Sequence, residues 1–187
     1  MTLPFKIAVI GCGWVSSACH GPAYLEYARS HADVILSACC DIDPRRAEDF
    51  RDQFGFQRAY TNYVELLEKE RPQAVALNVP PQWISAIGCD ILQRGYPLLS
   101  EKPPGLNLVE IDRLIAAARS SGVIHQVAFN RRFTPLTRHL KRMLDELGPA
   151  TIQHIQYEMV RVARADPDFS TTAIHGLDLV RFLAGGD

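Results

Sequence analysis

The chain has 187 residues, 47% of them apolar, and a formal net charge of -1 from 20 basic and 21 acidic side chains. That length exceeds one average domain and falls short of two. The balanced charge gives no electrostatic reason for a nucleic acid or an anionic membrane as partner, and no apolar run approaches the roughly 18 residues of a membrane span.

The N-terminus enters an apolar strand without a basic n-region or a small-residue cleavage site, so no signal peptide is expected. The five cysteines, Cys12, Cys19, Cys39, Cys40 and Cys89, are odd in number and lack C-x-x-C spacing. Buried reduced thiols and a cytoplasmic location are the expectation.

In chain order, residues 5–10 are a short apolar run stopped by glycine, the pattern of a buried parallel strand. Residues 14–29 suit a helix whose second half Gly21-Pro22 disturbs. Residues 33–40 read as a second strand, and Pro44 suits the first turn of a helix reaching about residue 54. A short helix over 63–70 closes at Arg71-Pro72. A strand over 74–79 ends at Pro80-Pro81. A helix over 84–94, a strand over 97–100, a helix over 108–120 stopped by Gly122, and a strand over 123–129 follow. This alternation predicts an α/β fold, a Rossmann-type doubly wound parallel sheet with helices on both faces.

After Phe133 the pattern changes. Thr134-Pro135 opens a basic amphipathic helix closed by Gly148-Pro149. Residues 151–164 alternate, with Ile152, Ile155, Tyr157, Met159 and Val162 on one face, and predict a long half-exposed antiparallel strand. Residues 170–183 predict a final amphipathic helix. The expected organisation is a dinucleotide-binding domain over 1–133, then the start of an α+β second domain over 134–187. A long strand with few partners leaves unpaired edges, which favours a homo-oligomer.

The candidate chemistry begins at the first turn, Gly11-Cys12-Gly13-Trp14-Val15-Ser16. Gly11 permits the tight strand-to-helix turn, and Gly13 lets backbone N–H groups approach a pyrophosphate at the positive end of the following helix. Ser16 stands where a third glycine is usual. A lone G-x-G is also ordinary punctuation, but here it follows a strand and precedes a helix. Asp41 ends the second strand, where a carboxylate accepts from ribose hydroxyls. Its alternative is to cap the helix at Pro44, although Asp43 is better placed for that. A carboxylate at Asp41 favours NAD over NADP, while Arg45 and Arg46 soften that preference or are simply solvated.

Ser100-Glu101-Lys102-Pro103-Pro104 follows a strand directly, so Lys102 faces the crevice where ligands of open parallel sheets lie. Beside a nicotinamide ring, an ammonium there can hydrogen-bond a substrate hydroxyl and assist proton transfer. The alternative is a solvated surface lysine.

With these motifs in place, the chain resembles the Gfo/Idh/MocA oxidoreductases, the group named for glucose-fructose oxidoreductase and inositol dehydrogenase. The resemblance rests on Gly11-Cys12-Gly13, Cys40-Asp41-Ile42-Asp43-Pro44-Arg45, Asn78-Val79-Pro80-Pro81 and Glu101-Lys102-Pro103. It continues in Phe129-Asn130-Arg131-Arg132-Phe133 and Ile174-His175-Gly176-Leu177-Asp178. The resemblance implies that Lys102 is the catalytic lysine and that His175 contacts the substrate hydroxyl. It further implies that Gly11 to Val15, Asp41, Asn78 to Pro81, Glu101, Lys102 and Asn130 border the cofactor. The implied activity is hydride transfer between NAD, or NADP, and a secondary alcohol or ketone of a sugar, inositol or related polyol. No metal is implied.

Three features depart from the family pattern. Thr171 and Ala173 stand where an Asp-x-Gly-x-His motif carries its aspartate and glycine. Ile84 stands where a histidine is frequent. The third is that the family's large antiparallel sheet, which walls the substrate pocket and forms the oligomer interface, is represented only by its beginning. Two other readings follow from these departures: a non-catalytic dinucleotide-binding protein, and an interaction module whose sheet pairs with another chain.

Overall fold

The computed structural model describes residues 4–160, 162 and 169–186. They group into two compact units, Met1–Val127 and Ala128–Asp187, each described by itself.

In the first unit, β1 (Phe5–Ile10), β2 (Val34–Cys40), β3 (Arg58–Tyr60), β4 (Ala74–Leu77), β5 (Leu98–Ser100) and β6 (His125–Val127) form a 6-stranded parallel sheet. Its order is β3-β2-β1-β4-β5-β6, the doubly wound arrangement predicted from the alternating pattern. The intervening helices are α1 (Gly21–Ser30), α2 (Pro44–Phe54), α3 (Tyr63–Glu70), α4 (Pro81–Gln93) and α5 (Leu108–Ser121). Side chains of β1 alternate between the two faces. Ile7 and Val9 join a cluster with Phe50, Phe54 and Phe56. Ala8 and Ile10 join the other cluster, with Leu66, Leu67, Ile84, Ile91, Leu92 and Leu114. With both faces covered, β1 reads as a continuous apolar run.

Local sequence sets the ends of these helices. Asn62 and Asn107 cap α3 and α5 by accepting from backbone N–H groups. Asp43 accepts from Arg45 N at 3.0 Å, so Asp43 rather than Asp41 caps α2. The first helix begins at Trp14, widens into a π-helical stretch at Ser16–His20, and continues as α1. Pro22 explains the widening: in a straight α-helix its ring meets the carbonyl of Ala18, and its missing N–H leaves an orphan acceptor. The helical path through residue 30 also accounts for the long spacing between Gly11 and Asp41. Strand β2 holds one further residue, Ser37, bulged between the Ile7–Leu36 and Ala8–Ala38 pairs. Its hydroxyl donates to the Ile7 carbonyl at 3.0 Å.

Strand β3 is not foreseen by the pattern. Three residues of mixed polarity carry little period, and the strand exists through pairing with β2. The thiol expectation is met at Cys12, Cys39 and Cys40, which are buried; Cys89 is half-buried and Cys19 is exposed.

The second unit holds a 3-10 turn at Asn130–Phe133, α6 (Pro135–Leu147), a 3-10 turn at Pro149–Thr151 and α7 (Phe169–Leu183). The predicted strand over 151–164 is corrected. Residues 152–160 have no regular structure, and Arg161, Ala163 and Arg164 lie outside the described residues. Ile152, Ile155 and Met159 are half-buried, while Tyr157 is exposed. A strand needs a ladder partner, and the described elements of this unit are helices and turns. Among the described residues no helix is long and apolar enough to cross a membrane.

Candidate functional site

The topology reverses direction at β1, which pairs with β2 on one side and β4 on the other. In such a sheet the ligand crevice lies outside the carboxyl ends of the strands at this switch point. The residue just past each of β1, β2, β4 and β5 is a predicted site residue, and a backbone hydrogen bond to the neighbouring strand or its extension holds it. Gly11 N donates to Cys40 O and Asn78 N to Ile10 O, both at 2.8 Å. Asp41 N donates to Tyr60 O at 3.1 Å, and Glu101 N to Leu77 O at 2.9 Å. The ladders thus continue one residue past the strands and set Gly11, Asp41, Asn78 and Glu101 in a row.

The two loop glycines differ in kind. Gly11 has φ +94°, and a Cβ on it would lie 2.5 Å from the Asn78 carbonyl oxygen, so the chain's own fold demands glycine. Around Gly13 a Cβ would meet no atom within 4 Å. Among the described residues nothing crowds Gly13, which leaves open space beside the N-terminal turn of the first helix. Ser16 is fully buried and donates its hydroxyl to the Gly11 carbonyl, which ties the helix start to the strand end. Trp14 and Val15 are exposed on this turn.

The Asp41 carboxylate holds the loop. One oxygen accepts from Cys12 N at 2.8 Å and the other from Asp43 N at 3.0 Å. Each oxygen keeps a second lone pair for a hydroxyl. Ile42, next in sequence, is 91% exposed. Arg46 stands 3.5 Å from Asp43, a contact between exposed groups.

Asn78 carries the clearest sign of a ligand. Both polar atoms of its side-chain amide are buried, and neither has a hydrogen-bond partner among the described residues. Such groups are rare because desolvation without a partner costs about 1–3 kcal/mol each. Val79 is half-buried, Pro80 is exposed, and Pro81 opens α4, whose Trp83 N donates to Pro80 O at 2.9 Å.

Glu101 is half-buried. One carboxylate oxygen lies 2.7 Å from His20 Nε2, and the other accepts from Lys102 N at 3.1 Å. Burial pushes this carboxyl upward, but the His20 hydrogen bond and charge outweigh it, helped by the Lys102 backbone and ammonium. The net result is a value below the ordinary carboxylate range. Lys102 is half-buried. Behind it, the fully buried Ser100 hydroxyl meets His125 Nε2 at 2.9 Å, and burial holds His125 below the ordinary imidazole range. Among the described residues no cluster of His, Cys, Asp or Glu has the make-up of a metal site.

In the second unit, Asn130 is exposed on the 3-10 turn and His175 is half-buried on α7. The His175 ring stands edge-on to Phe129, with centroids 6.4 Å apart. Arg132 anchors α7 to this turn. Its Nε donates to both Asp178 oxygens, at 3.0 and 2.9 Å, and a terminal nitrogen adds a third bond. The guanidinium also covers the Phe129 and Phe182 rings. The Thr171 side chain lies outside the described residues.

The first unit therefore gathers Gly11 to Val15, Asp41, Asn78 to Pro81, Glu101 and Lys102 at one edge of its sheet, while Asn130 and His175 belong to the second. Sequence reasoning did not single out His20, Ile42 or the Arg132–Asp178 pair. The Arg and Asp were both visible in their motifs, but their coupling across 46 positions was not.

A family model described as an oxidoreductase family with an NAD-binding Rossmann fold matches residues 5–129. The chain is 26% identical over 193 residues to a myo-inositol 2-dehydrogenase of Thermotoga maritima, covering 96% of this chain and 55% of that protein. It is 32% identical over 147 residues to a trans-1,2-dihydrobenzene-1,2-diol dehydrogenase of Mus musculus, covering 78% of this chain and 40% of that one. An oxidoreductase domain protein from Kribbella flavida has the same fold with a TM-score of 0.86 at 22% identity, over 98% of this chain and 55% of its own. The chain spans about half the length of the curated relatives it matches. By the extent of the family match, the chain belongs to the Gfo/Idh/MocA oxidoreductase family, with an NAD-binding Rossmann fold.

Proposed function

We propose that the first unit binds a nicotinamide dinucleotide, NAD(H) in preference to NADP(H). The observation that carries this is the unpartnered amide of Asn78 at the switch point, in line with Gly13's open surface and the Asp41 carboxylate. The backbone around Gly13 and Trp14 receives the pyrophosphate at the helix start. Asp41 accepts from ribose hydroxyls, and its charge repels a 2′-phosphate. The exposed Ile42 offers an apolar surface beside that ribose, and Asn78 with Val79 to Pro81 borders the nicotinamide end.

The reaction we propose is hydride transfer between the cofactor and a secondary alcohol or ketone of a sugar, inositol or related polyol. Relatives named inositol dehydrogenases support that substrate class. The bound nicotinamide supplies the hydride acceptor or donor. Lys102 takes the hydroxyl proton as the C–H bond breaks, or returns it in the reduction. Glu101 borders the cofactor and holds the Lys102 backbone. His175 contacts the substrate hydroxyl, and Asn130 contributes to the cofactor border from the second unit, which we read as the start of a substrate and oligomerisation domain. The protein acts as a cytoplasmic homo-oligomer in this reading.

A second reading, dinucleotide binding without turnover, draws on Thr171 and Ala173 in place of the family's aspartate and glycine. One experiment separates the two. NADH and NADPH are titrated by nicotinamide fluorescence, and hydride transfer to NAD from a polyol panel is then followed at 340 nm for the wild type and Lys102→Ala. Binding with Lys102-dependent turnover supports the enzyme; binding without turnover supports the second reading. Failure of both nucleotides to bind at about millimolar concentration, where association is worth only about 4 kcal/mol, overturns the proposal.

A further inference from the structure

His20 belongs to no motif discussed above, yet its ring is the one side chain outside residues 101 and 102 that the structure shows bonded to the Glu101 carboxylate among the described residues. It sits at the end of the π-helical stretch Ser16–His20, and the side chains of the pair are 13% and 17% exposed. A third member lies one helical turn away. The Tyr24 hydroxyl is 3.3 Å from His20 Nδ1, and burial followed by the Glu101 charge pushes that phenol upward, so it stays protonated.

The directions of these bonds agree with one another. A carboxylate only accepts, so His20 Nε2–H donates to one Glu101 oxygen and Lys102 N–H to the other, while the Tyr24 hydroxyl stands against the ring's second nitrogen. A glutamate has several rotatable bonds, and its contact to the backbone N–H of its own neighbour does not fix the carboxylate plane. With both oxygens engaged the plane is fixed, and with it the backbone from which the Lys102 side chain starts.

We infer that His20 is a positioning residue for Lys102, acting through the Glu101 carboxylate with Tyr24 holding the ring at its other nitrogen. This rests on the reading of Lys102 as the proton-transfer group. Proton transfer needs heavy atoms within hydrogen-bond reach, and a displacement of about 1 Å costs up to about 100-fold in rate, so holding the lysine's backbone is itself a contribution to turnover.

The test uses the full chain as wild type, His20→Ala, His20→Gln and Tyr24→Phe. Each is pulse-labelled with an amine-acylating reagent, with and without saturating NADH, and modification is read residue by residue by mass spectrometry. Lys6, Lys69 and Lys141 serve as internal references. The expected result is a change of about tenfold or more in Lys102 labelling in His20→Ala, with the reference lysines unmoved. His20→Gln, whose amide can still donate to Glu101, returns Lys102 to within about threefold of wild type. Should His20→Ala fail to fold, Tyr24→Phe carries the comparison, with a smaller change of about threefold confined to Lys102. Lys102 labelling that stays within about twofold of wild type in every folded variant overturns the inference. Failure of the wild type to bind NADH overturns the dinucleotide reading instead, and the labelling of the unliganded protein still decides the role of His20.

Discussion

Replacing each loop glycine by alanine separates what the fold requires from what the ligand requires. At Gly11 the new Cβ meets two costs. The backbone sits at φ +94°, a conformation that costs a non-glycine residue about 1–3 kcal/mol. The methyl would also lie 2.5 Å from the Asn78 carbonyl, so β1 and β4 must move apart at their ends, an overpacking cost of about 1–3 kcal/mol. The sum, about 2–6 kcal/mol, lowers Tm by about 5–20 °C for a chain of this size. At Gly13 neither cost applies, and restriction of the unfolded chain makes Gly13→Ala neutral or stabilising by up to about 1 kcal/mol. The methyl there instead occupies the surface assigned to the pyrophosphate, so NADH affinity falls at least about tenfold, or 1.4 kcal/mol. Thermal denaturation and nicotinamide fluorescence read the two effects independently. An unchanged Tm in Gly11→Ala refutes the crowding argument, and wild-type NADH affinity in Gly13→Ala removes the loop as the phosphate seat.

Asp41→Asn keeps one of the two loop hydrogen bonds, since its amide nitrogen cannot accept, and removes the charge, so the NADH-to-NADPH affinity ratio, measured by parallel titrations, should fall about tenfold. Acid stability should follow the buried carboxylates. Burial pushes Glu70 upward, but hydrogen bonds from Tyr60 and Arg58 outweigh it and hold it below its ordinary 4.5, as Glu101 is held. The unfolded chain then takes up these protons first. Stability is present above about pH 4.5 and is lost as pH falls through the depressed values, and Glu70→Gln should flatten that limb of a urea-midpoint profile. His125 adds a separate step. Burial lowers it from 6.5, so protonation favours the unfolded chain and stability declines as pH drops below about 6.5, a decline absent in His125→Gln. Thiol labelling should be fastest at Cys19, with Cys12, Cys39 and Cys40 slow. Burial and neighbouring acidic groups push Cys40 up to about 12, and contact with Cys39 and burial push Cys12 up as well, so native labelling that is uniform across these cysteines would contradict the packing described.

The doubly wound frame was legible because each central strand is an apolar run and the elements carry readable stops: Gly122 after α5, Pro44 at the first turn of α2, and Pro72 and Pro80-Pro81 between elements. Gly11 and Asp41 were legible from their place past parallel strands, which converge on one edge, whereas Asn78 and Glu101 were legible only through the family resemblance. Where the sequence fell short, the deciding interaction was between distant residues. Strand β3 exists by pairing with β2. Residues 152–160 have the alternation of a strand but no ladder partner among the described residues. Asp41's bond to Cys12 N depends on the sheet's register, which no local pattern encodes. His20 reads as an ordinary helical histidine until the π-helical stretch turns it toward Glu101.

That stretch has a consequence for how the chain tolerates insertions and deletions. Successive helical residues are offset by about 100°, and a π turn is an α-helix holding one residue too many. The segment therefore joins two helical phases. The upstream phase is fixed by Ser16 on the Gly11 carbonyl, and the downstream phase by Gly21, where a Cβ would lie 2.5 Å from the Phe54 ring. Removing Ser17 or Ala18 would draw the two phases together while both anchors stay in place, and would bring the Pro22 ring against the carbonyl four residues before it. The angular offset that directs His20 would disappear, with a kink at Pro22 in its place. A single-codon deletion here is thus an alteration of the Glu101–Lys102 turn delivered from a helix on the other side of the glycine loop.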